Sequence, residues 1–195
     1  SCFINSRKGL FMFKKLVLFS FVFVLAMAGQ PANANSHAGK LKNLGINEIM
    51  FAQGMIPHHQ QAIEISNIAL KQSKNSSVRK LASQIIKAQK PEINQMKYWL
   101  SAMDAPMEMG HDMGMSGMLS EAKIAGLRKL IGNQFDLTFL RAMIEHHQGA
   151  LEMLPTLSSS KNSEAKNLAK SISVAQSSEI SQMRKLLMKL GTKKV

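Results

Sequence analysis

Two pairs of adjacent histidines stand in matching surroundings. Met55-Ile56-Pro57-His58-His59-Gln60-Gln61-Ala62-Ile63-Glu64-Ile65 and Met143-Ile144-Glu145-His146-His147-Gln148-Gly149-Ala150-Leu151-Glu152-Met153 are identical at seven of eleven positions. Imidazole nitrogen suits copper, zinc, iron and nickel, and a thioether selects soft ions such as Cu(I). On a helix Met55 is three residues before His58 and four before His59, and Met143 stands likewise to His146 and His147. A sulfur and an imidazole can therefore meet on one surface. Adjacent helical residues diverge by about 100 degrees, so the two histidines of a pair lie on different rows and do not share one metal as neighbours. A lone histidine on an apolar row is usually a hydrogen-bonded core residue. Four of them, duplicated with methionine in register, favour metal ligation over a polar network.

The elements that carry these residues also repeat. Leu81 to Leu100 aligns with Leu168 to Leu187 and shares Ala88/Ala175, Gln89/Gln176, Glu92/Glu179, Ile93/Ile180 and Met96/Met183. The repeating unit is a helix pair. A first helix is expected from about Asn47 to Lys71, with Ile49, Ile56, Ile63 and Leu70 on one row and Phe51, Met55, Ala62, Ile65 and Ala69 on the next. His59 falls on the isoleucine row and His58 on the other. Pro57 lies inside the pattern, so a bend is expected just before the histidines. A second helix follows from about Ser77 to Ala102. Ser120 restarts helical pattern as an N-cap, and Gly132-Asn133 interrupts it. The third long helix carries His146 and His147 and is expected to end at Pro155 and the serine run after it. The fourth spans about Ser163 to Leu190, closed by Gly191. No stretch alternates with period two. The fold expected is all-α, a four-helix bundle of two related hairpins, with repeat one at about 46–102 and repeat two at about 134–191. Glu92 and Glu179 fall beside the inward rows, where they can orient imidazoles, as can Gln89 and Gln176. Met96 and Met183 read as core fillers first and as ligands second.

Between the repeats, residues 103–118 hold Met103, Met107, Met109, His111, Met113, Met115 and Met118, with three glycines and Pro106. Those breakers prevent a stable apolar face, and a long irregular connection is usually functional or disordered. Thioethers do not titrate and cannot form disulfides. The segment therefore reads as a binder of Cu(I) or Ag(I), against the alternative of an oxidation-prone tether.

The chain begins with a segment that reads as an address. Met12-Phe13-Lys14-Lys15 precedes an apolar run from Leu16 to Ala28 and the small residues Ala32-Asn33-Ala34, the pattern of a signal peptide cleaved after Ala34 and carrying residues 1–11 as an upstream extension. Cleavage removes Cys2, the single cysteine, which excludes thiolate chemistry from the exported chain. About 160 residues remain, enough for a single domain at 35–195. Loss of Arg7, Lys8, Lys14 and Lys15 leaves 21 basic residues against 12 acidic, a net charge of +9 in place of +13. One Trp and one Tyr give no base-stacking surface, so the charge reads as solvated and no nucleic-acid partner is expected. No stable membrane insertion is expected after cleavage. A mature start at Asn35-Ser36-His37 would let the amine, two amides and the His37 imidazole enclose Cu(II) or Ni(II) in a plane of nitrogens. A chance histidine at that position is the competing reading.

Phe51-x-x-x-Met55-Ile56-x-His58-His59-x-x-Ala62 and Asp136-x-x-Phe139-x-x-x-Met143-Ile144-x-His146-His147-x-x-Ala150 resemble a bacterial family of exported, ferritin-like, duplicated helical-bundle proteins known as a domain of unknown function. The resemblance covers nearly the whole mature chain. It implies a copper-binding four-helix bundle and carries over Met55, His58, His59, Met143, His146 and His147. Glu48 stands where the second repeat has Asp136, a departure from the pattern. The function expected is a non-enzymatic copper binder, Cu(I) favoured and Cu(II) second, located in the periplasm or otherwise exported. It would sequester the ion or pass it to a copper efflux system or copper-sensing kinase. A ferritin-like di-metal oxidase would need inward carboxylates at Glu-x-x-His spacing, which the histidine helices lack. A metal-free stress-related interaction bundle is the third reading.

Overall fold

The structure, a computed structural model, describes residue 41, residues 43–108 and residues 115–192. The expected leader, His37, Met109, His111 and Met113 lie outside the described residues. Among the described residues there are five helices and no strand: α1 (Ile46–Gln72), α2 (Ser76–Ala102), α3 (Glu121–Lys129), α4 (Gly132–Ser158) and α5 (Ser163–Gly191). The four long helices have 27, 27, 27 and 29 residues, about 40 Å each at 1.5 Å per residue. Helix α1 packs on α2 and α4 on α5, and the two hairpins meet chiefly along α1 against α4.

Side-chain oxygens start three of these helices. Asn75 accepts from Ser77 N and Val78 N ahead of α2, and Asn162 accepts from Ala165 N ahead of α5. Ser120 caps α3 through Lys123 N, at the position expected from the sequence. Helix α1 continues through Pro57, as its expected range required, and two local expectations are corrected. Helix α4 runs through Pro155 and ends in the serine run at Ser158. Helix α5 includes Gly191, and the Thr192 hydroxyl closes it by donating to Met188 O and Lys189 O. Proline costs one amide bond and crowds one turn. Burial of a full-length apolar stripe on either side outweighs that local loss.

The innermost stripe of α1 is the Phe51, Met55, Ala62, Ile65 and Ala69 row, all buried, while Ile49, Ile63 and Leu70 of the other row are only half-buried. On α4 the equivalent row of Phe139, Met143, Ala150 and Leu157 is fully buried. The core falls into two clusters. One holds Met55 and Met96 beside Phe51, Trp99 and Leu100, and the other holds Met143 and Met183 beside Phe135, Phe139 and Ile85.

The acids that differ between the repeats share a structural role. Glu48 opens α1, accepts from Gly45 N at 2.8 Å, and is hydrogen-bonded by Ser160 in the turn of the other hairpin. Asp136 on α4 is hydrogen-bonded in return by Ser73, in the turn of the first hairpin. Each hairpin thus fastens the other's turn, and the two serines also accept from Asn75 N (3.1 Å) and Asn162 N (2.9 Å). Burial pushes the Glu48 carboxyl up, but the Ser160 and Gly45 hydrogen bonds outweigh it and hold the group below its usual range. Burial wins at Asp136, which is raised despite Ser73, and its Oδ1 has no partner among the described residues. Ser160→Ala is expected to lower stability by about 1–3 kcal/mol at neutral pH, because it strips a buried carboxylate of a donor. Ser73→Ala is expected to cost less. Urea denaturation of both variants checks this, and equal losses would contradict it.

Candidate metal centre

Packing α1 against α4 on their innermost rows brings His58 and His146 face to face. Their ring centroids are 3.9 Å apart, tilted by 42 degrees, and both residues are fully buried. His147 lies beside His146 with centroids 6.3 Å apart. The other member of each pair turns toward its own hairpin. His59 Nε2 meets Glu92 Oε2 at 2.9 Å, and His147 Nε2 meets Glu179 Oε2 at 2.7 Å. The duplicated glutamates therefore hold the imidazoles of the outer pair. A carboxylate accepting from Nε2–H fixes the tautomer and the ring plane, and leaves Nδ1 with its lone pair.

Those lone pairs have nothing to bind. Nδ1 of His58, His59, His146 and His147, and Nε2 of His146, are buried and without a hydrogen-bond partner among the described residues. A buried polar atom left unpaired costs about 1–3 kcal/mol, so such a group asks for a ligand. The amides of Gln89 and Gln176 are likewise buried and unpartnered, so the sequence assignment of these two as orienting groups receives no hydrogen bond here. Burial, followed by the neighbouring His59, lowers the His58 imidazole to about 4, with the Ser116 carbonyl opposing. Burial and the adjacent histidines push His146 well below its ordinary value. Both rings are therefore neutral at pH 7, the state in which imidazole ligates.

Among the described residues no three His, Cys, Asp or Glu side chains form a metal-holding group. A metal at the His58 and His146 contact would need sulfur, backbone or an outside ligand to complete its shell. Met55 and Met143, one turn before these histidines, are fully buried, as are Met96 and Met183. Met103 and Met107 are exposed, whereas Met115 and Met118 are half-buried where the connection rejoins the bundle.

That rejoining segment covers the histidines. The Ser116 carbonyl lies 3.2 Å from His58 Nε2, and Ser116 Oγ donates to Glu152 at 2.7 Å. Gln61 makes two bonds to the backbone of Leu119, at 2.9 and 2.7 Å. Gly149 is required: a Cβ there would collide with the Ser116 carbonyl. Gly117, at φ +81, sits against the backbone of Glu145 and His146, where a Cβ would come within 2.6 Å of Glu145 O. The sequence reading missed Ser116, Gly117, Gly149 and Gln61. One signal was available, because Gln61 and Gly149 occupy the same place in the two repeats and differ in opposite ways. Glu64 and Glu152, also equivalent, bind Arg128 (2.6 Å) and Ser116 and do not approach the imidazoles.

Residues 48–187 match the family described as Domain of unknown function (DUF305). The chain belongs to the DUF305 family. A DUF305 fragment from Deinococcus radiodurans is 35% identical, with 74% of this chain and 97% of that one covered at a TM-score of 0.70. A DUF305 protein from Streptomyces coelicolor is 32% identical over 76% of this chain and 96% of that one, with a TM-score of 0.71. CopM in its Cu(II)-bound form is 32% identical over 73% of this chain and 96% of that one, with a TM-score of 0.64, and CopM is also solved in Cu(I)-bound, silver-bound and apo forms. A protein of unassigned role from Acanthamoeba polyphaga mimivirus, L153, is 39% identical over 51 residues, so this DUF305 chain spans only 34% of that relative and 26% of its own length is matched. Among the described residues no helix of this DUF305 protein is long and apolar enough to cross a membrane.

The depressed imidazoles make metal-free stability pH-dependent. Below pH 6.5 the unfolded chain takes up a proton at His58 that the folded chain refuses until about pH 4, so stability is present at neutral pH and falls through that window. His58 alone should account for roughly 3 kcal/mol. Denaturant titrations of chelator-treated protein between pH 7 and 4 are expected to show this slope, reduced in His58→Gln. A profile that His58→Gln leaves unchanged would contradict it.

Proposed function

We propose that this DUF305 protein is an exported copper-binding protein that holds Cu(I) at the buried histidine centre and sequesters or delivers it in copper resistance and homeostasis. Cu(II) and Ag(I) are further cargo. The observation that carries the reading is the set of buried imidazole nitrogens without partners among the described residues, on helices where the buried Met55 and Met143 stand one turn before the histidines. Neutral imidazole and thioether form a soft, uncharged ligand set that suits Cu(I) better than a hard ion. CopM, about 30% identical, is solved with Cu(I), Cu(II) and silver, which supports the same cargo here.

Glu92 and Glu179 would act as supporting groups, each aligning one imidazole. This favours a binder over a ferritin-like oxidase, whose carboxylates have to converge on paired metals. The leader pattern, and the candidate secreted status in the description of the Streptomyces relative, support export. A copper efflux system or a copper-sensing kinase would be the recipient outside the cytoplasm.

Competitive Cu(I) titration of the protein against a chromophoric chelator tests the proposal. His58→Gln with His146→Gln should remove the tightest equivalent, and Glu92→Gln or Glu179→Gln should weaken it by about 10–100-fold. Unchanged stoichiometry and affinity in all variants would overturn the reading.

A further inference from the structure

Beyond the histidine centre, the structure gathers thioethers at a place the sequence did not indicate. A cleft of about 280 Å³ opens between α1, the end of the connection and α4, and its walls include Met50, Met115 and Met153, one methionine from each segment. Met50 is 47% exposed and the other two are half-buried, so the cleft is open to solvent. Met50 and Met153 are not themselves duplicated. Their repeat equivalents are Thr138 and Ile65, so this grouping arises on one side of the bundle only.

The approach of two of the three is fixed by their neighbours. Ser116 Oγ donates to Glu152 at 2.7 Å, which ties the residue after Met115 to the residue before Met153. Ser116 is also fastened to His58 through its carbonyl. Polar lining is confined to Asn47 and Thr156, so the walls carry no charge. A hard cation would require anionic oxygen here, whereas a soft monovalent d¹⁰ ion is held by neutral sulfur alone. Flexible methionine side chains also adapt to such an ion without reshaping the backbone.

We propose that Met50, Met115 and Met153 form a solvent-facing three-thioether site for Cu(I) or Ag(I), separate from the buried histidine centre. The site stands on its own geometry; its use as an outer station from which the ion passes inward rests on the histidine centre being a copper site. Ser116 is the structural link, because the residue that holds Met115 at the cleft also covers His58.

Ag(I) titration of full-length protein carrying ¹³C-methyl methionine, followed by NMR with assignments from single Met→Leu variants, tests the site. The methyl signals of Met50, Met115 and Met153 should shift along one shared saturation curve. Met50→Leu or Met153→Leu should weaken that curve at least about tenfold, since losing a ligand costs no less than losing a supporting contact. The response of Met55 and Met143 should stay as in wild type. Three cleft methyls that stay still, or move with unrelated curves, would overturn the proposal. Cleft signals that saturate together while Met55, Met143 and the histidines ignore silver would uphold the cleft and remove the histidine reading.

Discussion

The constraint behind this structure is the placement of neutral imidazoles in a dry helix contact. His58 and His146 occupy the centre of the α1 and α4 interface, where an apolar residue would pack without penalty. Their lowered proton affinity follows from burial first, then from His59 at His58 and from His58 at His146. Charging either would place a cation in a low-dielectric interior beside a second ring. Burial keeps both neutral at pH 7, and neutrality leaves each ring a lone pair. The same burial that costs stability would prepare the ligand set of the proposed copper site.

Duplication explains much of the arrangement, and its departures from symmetry explain the rest. Glu92 and Glu179 hold His59 and His147 in matching ways, and Glu48 and Asp136 each reach the opposite turn. The connection between repeats can cross the bundle on only one side, so the two copies of its contact surface cannot stay alike. Gln61 clasps it and Gly149 makes room for it. His58 has a carbonyl at Nε2 whereas His146 has no partner on either nitrogen among the described residues, so the central pair is chemically unequal within a duplicated frame.

Long-period features were legible in the sequence. Four long helices, their hairpin pairing and the cap at Ser120 follow from apolar rows, polar turns and repetition. A local rule misled where tertiary packing decided: Pro155 is carried inside α4 because the row around it is buried. The histidine pairs and their glutamates could be picked out by duplication, but not the partnership of His58 with His146, which depends on how two hairpins meet. Non-local contacts such as Ser160 with Glu48, and the Met50, Met115 and Met153 grouping, could not be read from periodicity because each joins residues far apart in the sequence. Met96 and Met183, read as core fillers first, are sealed in the core, whereas Met115, read as a ligand in the connection, is half-buried at the cleft.

The central claim is that buried histidine nitrogen and methionine sulfur hold the ion together. X-ray absorption at the copper edge of protein carrying one equivalent of Cu(I) addresses it directly. The account predicts a mixed shell, with imidazole scattering and sulfur both present and the imidazole part lost in His58→Gln with His146→Gln. A spectrum without imidazole, or one identical in that variant, would contradict it.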